Sequence, residues 1–377
     1  MAPRKKAQAA APAVASKAGP AATIERSELA AGLAAVARAV GSPTVVPALG
    51  DVLIRLDGSE ATITATDLDV VMKTSVALSI EGRDGTMLAP AKLLSNVVTA
   101  VDGPISIELD GDNVIASSGD FVANLATRPV ADFPQLTDVG GELTEIDASL
   151  FGLALGSALV AVSRDVARPV LTAILVDRSE NDTLRLVATD SYRMIVVDVD
   201  GMDPLADGPI LLPGKAAALM ANIAIRNDLV AFRTDMQRVE MVGDTTTVIA
   251  RLTEGQFPDY RRLLPSDKMP IVAVDRDALA KAVRRVRTLL DAERPLSLEF
   301  GLDSLTIRAT GTNGNAHETI VCSYDGDPVT IAFSGAYLAD AVNVIDSEAI
   351  EIMLGTAAKP SIFVGDSVRY LLMPVKV

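Results

Sequence analysis

Two hydrophobic periods alternate along this chain, and the alternation is written three times. Apolar residues at Leu29, Leu33, Val36 and Val40 recur every three or four positions, which places them on one face of an α-helix. Phe151, Leu155, Ala158 and Val162 repeat that spacing, and Leu279, Val283, Val286 and Leu290 repeat it again. Ser27, Asp147 and Asp275 stand where helix caps belong, because their side-chain oxygens can accept from the unpartnered amides of a first turn. After each helix comes a period of two, rich in β-branched residues: Ala61–Thr66, Leu184–Thr189 and Leu305–Thr310. That alternation predicts strands with one buried face.

The copies keep register. Ala65–Thr66–Asp67 recurs as Ala188–Thr189–Asp190 and then as Ala309–Thr310–Gly311, at offsets of 123 and 121. Pro90 and Lys92 match Pro213 and Lys215 at the same first offset, and the second offset reaches Ser334 and Ala336. A second helical pattern starts there in each copy: Leu93, Leu94, Val97 and Val98; Ala216, Ala217, Met220 and Ala221; Tyr337, Leu338, Ala341 and Val342. Two separate signals sharing one pair of offsets mark an internal repeat. The expected fold is α+β, with three tandem domains over residues 23–140, 141–266 and 267–377, each with two helices packed on β-sheets. Residues 1–22 are Ala/Pro/Lys-rich without apolar periodicity and are expected to be a disordered basic tail.

Three similar domains can be related by a repeated rotation, and two chains meeting head to tail would close six of them into a ring. Twelve helices abreast at about 8–10 Å give a circumference near 110 Å and a diameter near 35 Å. Removing about 10 Å of helix thickness leaves a hole of roughly 25 Å. A duplex roughly 20 Å across would pass through it.

Composition narrows the chemistry. At 377 residues the chain exceeds what one core usually supports. Its longest smooth apolar run, Phe151 to Val162, is too short to span a bilayer, and no leader-like segment opens the chain. A soluble, cytoplasmic protein with no membrane partner is expected. Cys322 and His317 are the only residues of their kinds, so no disulfide can form within the chain and no Cys/His zinc site can be assembled. His317 reads as part of a polar loop from Thr312. No Gly-rich phosphate loop ending in Lys-Ser/Thr appears, so any ATP-driven step belongs to another protein. The pairs Asp67/Asp69 and Asp198/Asp200 flank strands, where Asp commonly closes turns, and the repeated Asp is lost at Gly311. A metal-dependent enzyme is therefore disfavoured; no metal, cofactor or catalytic residue is expected.

Charge argues at first against nucleic acid. The formal net charge is −15, and the tail holds four bases and no acid, so the remaining 30 bases against 49 acids leave −19. A DNA-binding protein of this kind must segregate its charge. Lys281, Arg284, Arg285 and Arg287 do cluster on the first helix of the third copy. Lys92 and Lys215 open second helices, and Arg38 and Arg164 lie near the ends of first helices. Such side chains can attract phosphates without reading bases. The plainer alternative is a solvated face balanced by neighbouring acids. Aromatics are 3% with no Trp, which disfavours stacking on unpaired bases.

Several stretches carry a family likeness: Val46–Pro47–Ala48–Leu49–Gly50, Ala131–Asp132–Phe133–Pro134, Arg168–Pro169–Val170–Leu171–Thr172, Ala188–Thr189–Asp190–Ser191–Tyr192–Arg193, the run from Glu254 through Phe257–Pro258–Asp259–Tyr260–Arg261–Arg262 to Pro265, and the terminal Met373–Pro374–Val375–Lys376–Val377. In order and spacing the chain resembles the bacterial sliding clamp, the β subunit of the replicative DNA polymerase, from about residue 24 to the end. That resemblance implies a ring-forming DNA-clamp (processivity) fold, a homodimer around double-stranded DNA, and no catalysis. It also implies a groove that takes short linear peptides of the polymerase, the clamp loader and repair proteins. Matched position by position, the groove would comprise Leu171, Thr189, Ser191, Tyr192, Arg193, Met194, Pro258, Arg262, Leu263, Pro360, Leu371 and Met373. Arg168 matches a loop arginine that approaches DNA. Ala123 and Leu125 would face Leu289 and Leu290 of the other chain. Two departures stand out: Ser191 replaces a common Gly, and Ser42–Pro43–Thr44–Val45 lacks an arginine often found there. The second departure leaves open a divergent interaction scaffold that no longer holds DNA.

Overall fold

The computed structural model describes residues 19–44, 46–203, 205–264, 269–288, 294–311 and 314–376. They form two compact units that divide between Thr137 and Asp138. The first unit holds helices α1 (Arg26–Val36) and α2 (Ala91–Ala100). The second holds α3 (Ala148–Leu159), α4 (Gly214–Ala224), α5 (Arg276–Arg287) and α6 (Gly335–Val344). The starts of α2, α4 and α6 at Ala91, Gly214 and Gly335 reproduce the offsets of 123 and 121.

Every strand pairing described is antiparallel. In the first unit one sheet runs in the order Ile80–Arg83, Ala21–Ile24, Ile105–Asp110, Asn113–Ser118 and Phe121–Ala126, which leaves Phe121–Ala126 at an edge. A second sheet joins Val70–Ala77, Glu60–Thr66, Asp51–Asp57 and Gly85–Pro90. The second unit carries Thr144–Asp147, Leu229–Thr234, Arg238–Val242 and Thr246–Arg251 in one sheet, and a continuous twelve-stranded sheet that runs through both of its repeats. The first helix of each copy lies on equivalent strands: α1 on Glu60–Thr66 and Val70–Ala77, α3 on Leu184–Thr189 and Arg193–Val199, α5 on Ser304–Gly311 and Gly314–Ser323.

The helices attach through the faces that the spacing predicts. Leu29, Leu33 and Val36, then Phe151, Leu155 and Ala158, then Leu279, Val283 and Val286 are all buried. For α5, the most highly charged helix, each buried Leu or Val contributes roughly 1.5–3 kcal/mol, enough to outweigh the helix's otherwise polar character. Asp147 accepts from the Leu150 amide at 2.8 Å and Asp275 from the Ala278 amide at 2.7 Å, so both act as caps.

Four sequence expectations need correction. Ser27 does not cap α1; it lies inside the helix, which starts at Arg26 after Glu25, two residues earlier than a Ser27 cap implies, without a side-chain cap. The apolar spacing overruns the first two helices, because α1 and α3 end at Val36 and Leu159, and a 3-10 turn (Ala37–Ala39) follows α1. Gly41 then gives its amide to the Leu49 carbonyl at 2.9 Å, which turns the chain away from the helix axis. Ala21 and Ala22, assigned to the tail, lie in the strand Ala21–Ile24, held between Ile80–Arg83 and Ile105–Asp110. His317 lies in the strand Gly314–Ser323 opposite Arg308, not in a loop, though it is exposed. The tail up to residue 18 and the predicted helix position Leu290 lie outside the described residues.

Candidate functional site

The second and third repeats are sewn together by one strand pair. Arg193–Val199 pairs with Val368–Leu372, which sets Met194 opposite Leu371 and Arg193 opposite Leu372. The Met373 amide continues the ladder to the Tyr192 carbonyl at 2.9 Å. Along this seam an apolar cluster gathers Leu171, Met194 and Leu371 with Leu175, Val187, Phe257, Tyr260 and Ile362, and Met373 packs against it. The two repeats thus supply one continuous apolar floor.

Around that floor the remaining positions differ in accessibility. Thr189 is buried, Pro360 is half-buried, and Ser191, Pro258, Arg262 and Leu263 are exposed. Tyr192 is 63% exposed although its backbone sits in the ladder. Arg262 and Leu263 ride on a 3-10 turn, Tyr260–Leu263, anchored from beneath by Tyr260. The Tyr260 hydroxyl donates to Asp177 at 3.1 Å, and burial pushes its pKa up to about 12. Arg261 stacks 4.7 Å above the Tyr260 ring and pairs with Asp177 at 2.9 Å. Arg262 turns outward to Asp259 at 2.8 Å. The structure therefore brings Leu171, Met194, Leu371 and Met373 together in one cluster, with Tyr260 a support that spacing alone did not mark.

The Thr-Asp repeat explains the shape of the adjoining turn. Thr189 Oγ1 donates to the Arg193 carbonyl at 2.7 Å and accepts from the Ser191 amide at 3.1 Å. Asp190 Oδ1 accepts from the Tyr192 and Arg193 amides at 2.9 and 3.0 Å. Closing these bonds forces Ser191 to a φ of 80°. A non-glycine residue there costs on the order of 1 kcal/mol. Ser191 also gains a bond, since its hydroxyl accepts from Arg168 Nη1 at 2.8 Å. The same turn forms at Thr66–Asp67–Leu68, with Leu68 at 84°, and at Thr234–Asp235–Met236, with Met236 at 65°. The last instance was missed from the sequence, where the Thr-Asp dipeptide was its signal.

Arg193, expected on the groove wall, is engaged inward. Its Nε donates to Asp190 at 3.0 Å, its Nη1 donates to Tyr370 at 3.0 Å and to Asp340, and the guanidinium lies 4.1 Å from the Tyr337 ring centroid. Burial opposes its charge, but Tyr370, Asp340 and Asp190 outweigh that and raise its pKa. Arg193 thus pins the second repeat to α6 of the third. Asp198, one of the weighed metal-binding candidates, receives Arg185 at 2.5 and 3.0 Å and also pairs with Arg369, which accounts for its charge without a metal.

The basic positions separate into engaged and outward-facing sets. Arg38, Lys92, Arg164, Arg168, Lys215, Lys281, Arg284 and Arg285 are exposed, and Arg287 is half-buried. Arg285 forms a fork with Glu318 and lowers that carboxyl's pKa by hydrogen bonding. Arg168 binds Asp165 at 2.9 Å besides Ser191. Lys281 lies 3.8 Å from Asp277. On the edge strand Phe121–Ala126, Leu125 is already buried and Ala123 half-buried, facing Val114 and Ala116; Phe121 and Val122 are exposed instead. Leu289 lies, with Leu290, outside the described residues.

Family models match in tandem: the DNA polymerase III beta subunit N-terminal domain over residues 21–137, its central domain over 145–259 and its C-terminal domain over 261–376. The beta sliding clamp of Caulobacter vibrioides is 29% identical over 378 residues, covering 94% of this chain and 99% of that protein. That of Streptomyces coelicolor is 26% identical over 373 residues, covering 94% and 98%. Among solved structures, a Caulobacter crescentus beta sliding clamp superposes with a TM-score of 0.89 at 27% identity, over 96% of this chain and 100% of that one. A Bartonella birtlesii sliding clamp bound to griselimycin gives 0.86 at 26%, over 95% and 100%. No described helix is long and apolar enough to cross a membrane.

Proposed function

Because the chain belongs to the DNA polymerase III beta subunit family, we infer that it works as a DNA sliding clamp: a non-catalytic ring of two chains around duplex DNA that tethers the replicative polymerase. The tandem match of three clamp domains carries this reading. Three domains, the first beginning at the strand Ala21–Ile24 rather than at residue 23 and the others over 141–266 and 267–377, and action in the cytoplasm are parts of the same proposal.

Ring closure is supported by two unsatisfied strand edges. Phe121–Ala126 ends the first unit's sheet. The strand Gly314–Ser323 pairs along its length with Ser304–Gly311, but on its other side only Cys322 and Ser323 are paired among the described residues. Exposed Phe121, Val122 and Val321 accompany these edges. Open apolar edges invite pairing with another chain, and a head-to-tail dimer would use both. Ala123 and Leu125 would then lie beside the partner's first helix of the third domain.

The seam between the second and third repeats is the proposed peptide groove. Leu171, Met194, Leu371 and Met373 offer apolar floor to anchor side chains, while Thr189, Ser191, Tyr192, Pro258, Arg262, Leu263 and Pro360 form its rim. Arg193 takes part by holding the floor strand to α6. Polymerase, clamp loader and repair proteins are the proposed ligands, each through a short linear segment. The basic set from Arg38 to Arg287 is proposed to meet DNA phosphates.

Native mass spectrometry tests the assembly, with two 39.3 kDa chains per particle expected. A lone chain at micromolar concentration would contradict the ring. For the groove, a labelled peptide with two apolar anchors should bind wild type and lose at least about tenfold in Leu171→Ala, on the scale of one lost anchor contact. Unchanged binding would move the site elsewhere.

A further inference from the structure

Cations are not spread evenly over the three helix pairs. Matching Leu279 with Phe151 and Leu29 places Lys281, Arg284 and Arg287 opposite Leu153, Gly156 and Leu159 in the second repeat, and opposite Ala31, Ala34 and Ala37 in the first. α3 contains no charged residue. The second helix of each pair is alike in the corresponding places: Ala339, Val342 and Asn343 match Ala218, Ala221 and Asn222, then Ser95, Val98 and Thr99. One architecture has been charged in one copy of three.

That copy also opens a cleft. Between α5 and α6 lies a cavity of about 430 Å³. Its apolar lining comes from Val283, Ala339 and Val342, with Lys281, Arg284 and Arg287 around it. Arg294 and Asn343 also contribute, and Asp277 is the one carboxylate in the lining, near Lys281 at 3.8 Å. Arg285, on the flank toward Glu318, is not part of it. Among the described residues no ion pair or hydrogen bond engages Arg284 or Arg287. Three cations spaced by three residues along one helix, above a small-residue wall, fit an anion that enters from solvent and leaves easily.

We propose that the α5–α6 cleft is a discrete seat for a backbone phosphodiester of duplex DNA, so that each chain's electrostatic hold is concentrated in its third repeat rather than spread around the ring. The proposal rests on the sliding-clamp reading. It deepens that reading: the strongest hold on the duplex lies at one place per chain, and the other two first helices offer no cation at the matching positions. A single seat per chain also lets the clamp move, since advancing requires releasing one local contact.

The test is the salt dependence of binding to a short labelled duplex, measured on the full-length dimer. Each phosphate contact contributes a slope of about 0.9 in log K against log salt. The triple variant Lys281→Gln, Arg284→Gln, Arg287→Gln should lose roughly two to three slope units, whereas Lys92→Gln with Lys215→Gln should lose less than about one. Ala339→Leu keeps every cation and narrows the cleft, and should weaken binding at low salt about tenfold. Thermal unfolding and native mass confirm that each variant remains a folded dimer. An unchanged slope in the triple variant, equal losses in both charge variants, or full binding in Ala339→Leu would overturn the seat. So would saturation of the cleft by inorganic phosphate without any effect on duplex binding. These outcomes are separable from failure of the clamp reading, which would show in wild type as absence of the dimer.

Discussion

The α3–α4 and α5–α6 pairs share a scaffold but present opposite surfaces. Both first helices are capped by an Asp side chain, both lie on equivalent strands, and both bury the same apolar register. The difference begins at one residue. Gly152 lets α3 approach α4 so closely that an added Cβ would lie 2.8 Å from the Ala224 Cβ. Its counterpart Ala280 lines the open cleft. Leu153 faces outward on α3, where α5 carries the exposed Lys281 at the matching position. Buried positions maintain the fold, and outward positions are free to diverge into a tight neutral seam in one copy and a charged cleft in another.

Substitution of Gly152 should have the largest effect on that contrast. Gly152→Leu should destabilise the protein by about 1–3 kcal/mol through overpacking, read as a lower denaturant midpoint. Ala280→Leu should stay within roughly 1 kcal/mol of wild type because it grows into open space, and should weaken DNA binding instead. If the two variants lose the same stability, the closed and open helix pairs are not distinct.

The caps should behave alike. Asp147→Ala and Asp275→Ala should each cost about 1 kcal/mol, since each removes one acceptor from a first-turn amide. A loss confined to one copy would show that the two helices start differently.

Glu318 gives the smallest effect. Arg285 holds its carboxyl below the usual range, so the pair's stabilisation is present above the ordinary glutamate pKa and is lost as pH falls through the folded value. The pair is largely solvent-screened, so Glu318→Gln should cost at most about 1 kcal/mol near neutrality. It should also abolish that portion of the acid dependence and leave Arg285 available to phosphate, steepening the salt slope of DNA binding. An unchanged acid limb would contradict the assignment.

The fold was largely legible because its cause is periodic. Helix faces follow from their apolar spacing, and the strands after the first helices and the second-helix starts recur at fixed offsets. Helix ends were less legible: the departure at Gly41 depends on a backbone bond to Leu49, which no local pattern announces. Exposure of His317 followed from its polarity, but its strand needed the ladder with Ser304–Gly311. The groove positions came from family resemblance rather than spacing, because Met194 and Leu371 meet only after two distant strands pair. Arg193 shows the limit of residue type. A guanidinium that could orient a ligand is instead taken up by Asp190, Asp340 and Tyr370, which lie far apart in the chain.

Retention on DNA of two shapes tests the ring most directly. The protein would be placed on a nicked circular plasmid by a clamp loader with ATP, freed of loader, and followed by gel filtration before and after the circle is cut once. Co-elution with the intact circle and rapid loss on linearisation are expected, since nothing but topology holds the two together for long. Equal retention on circle and line, or none on either, would contradict a closed clamp.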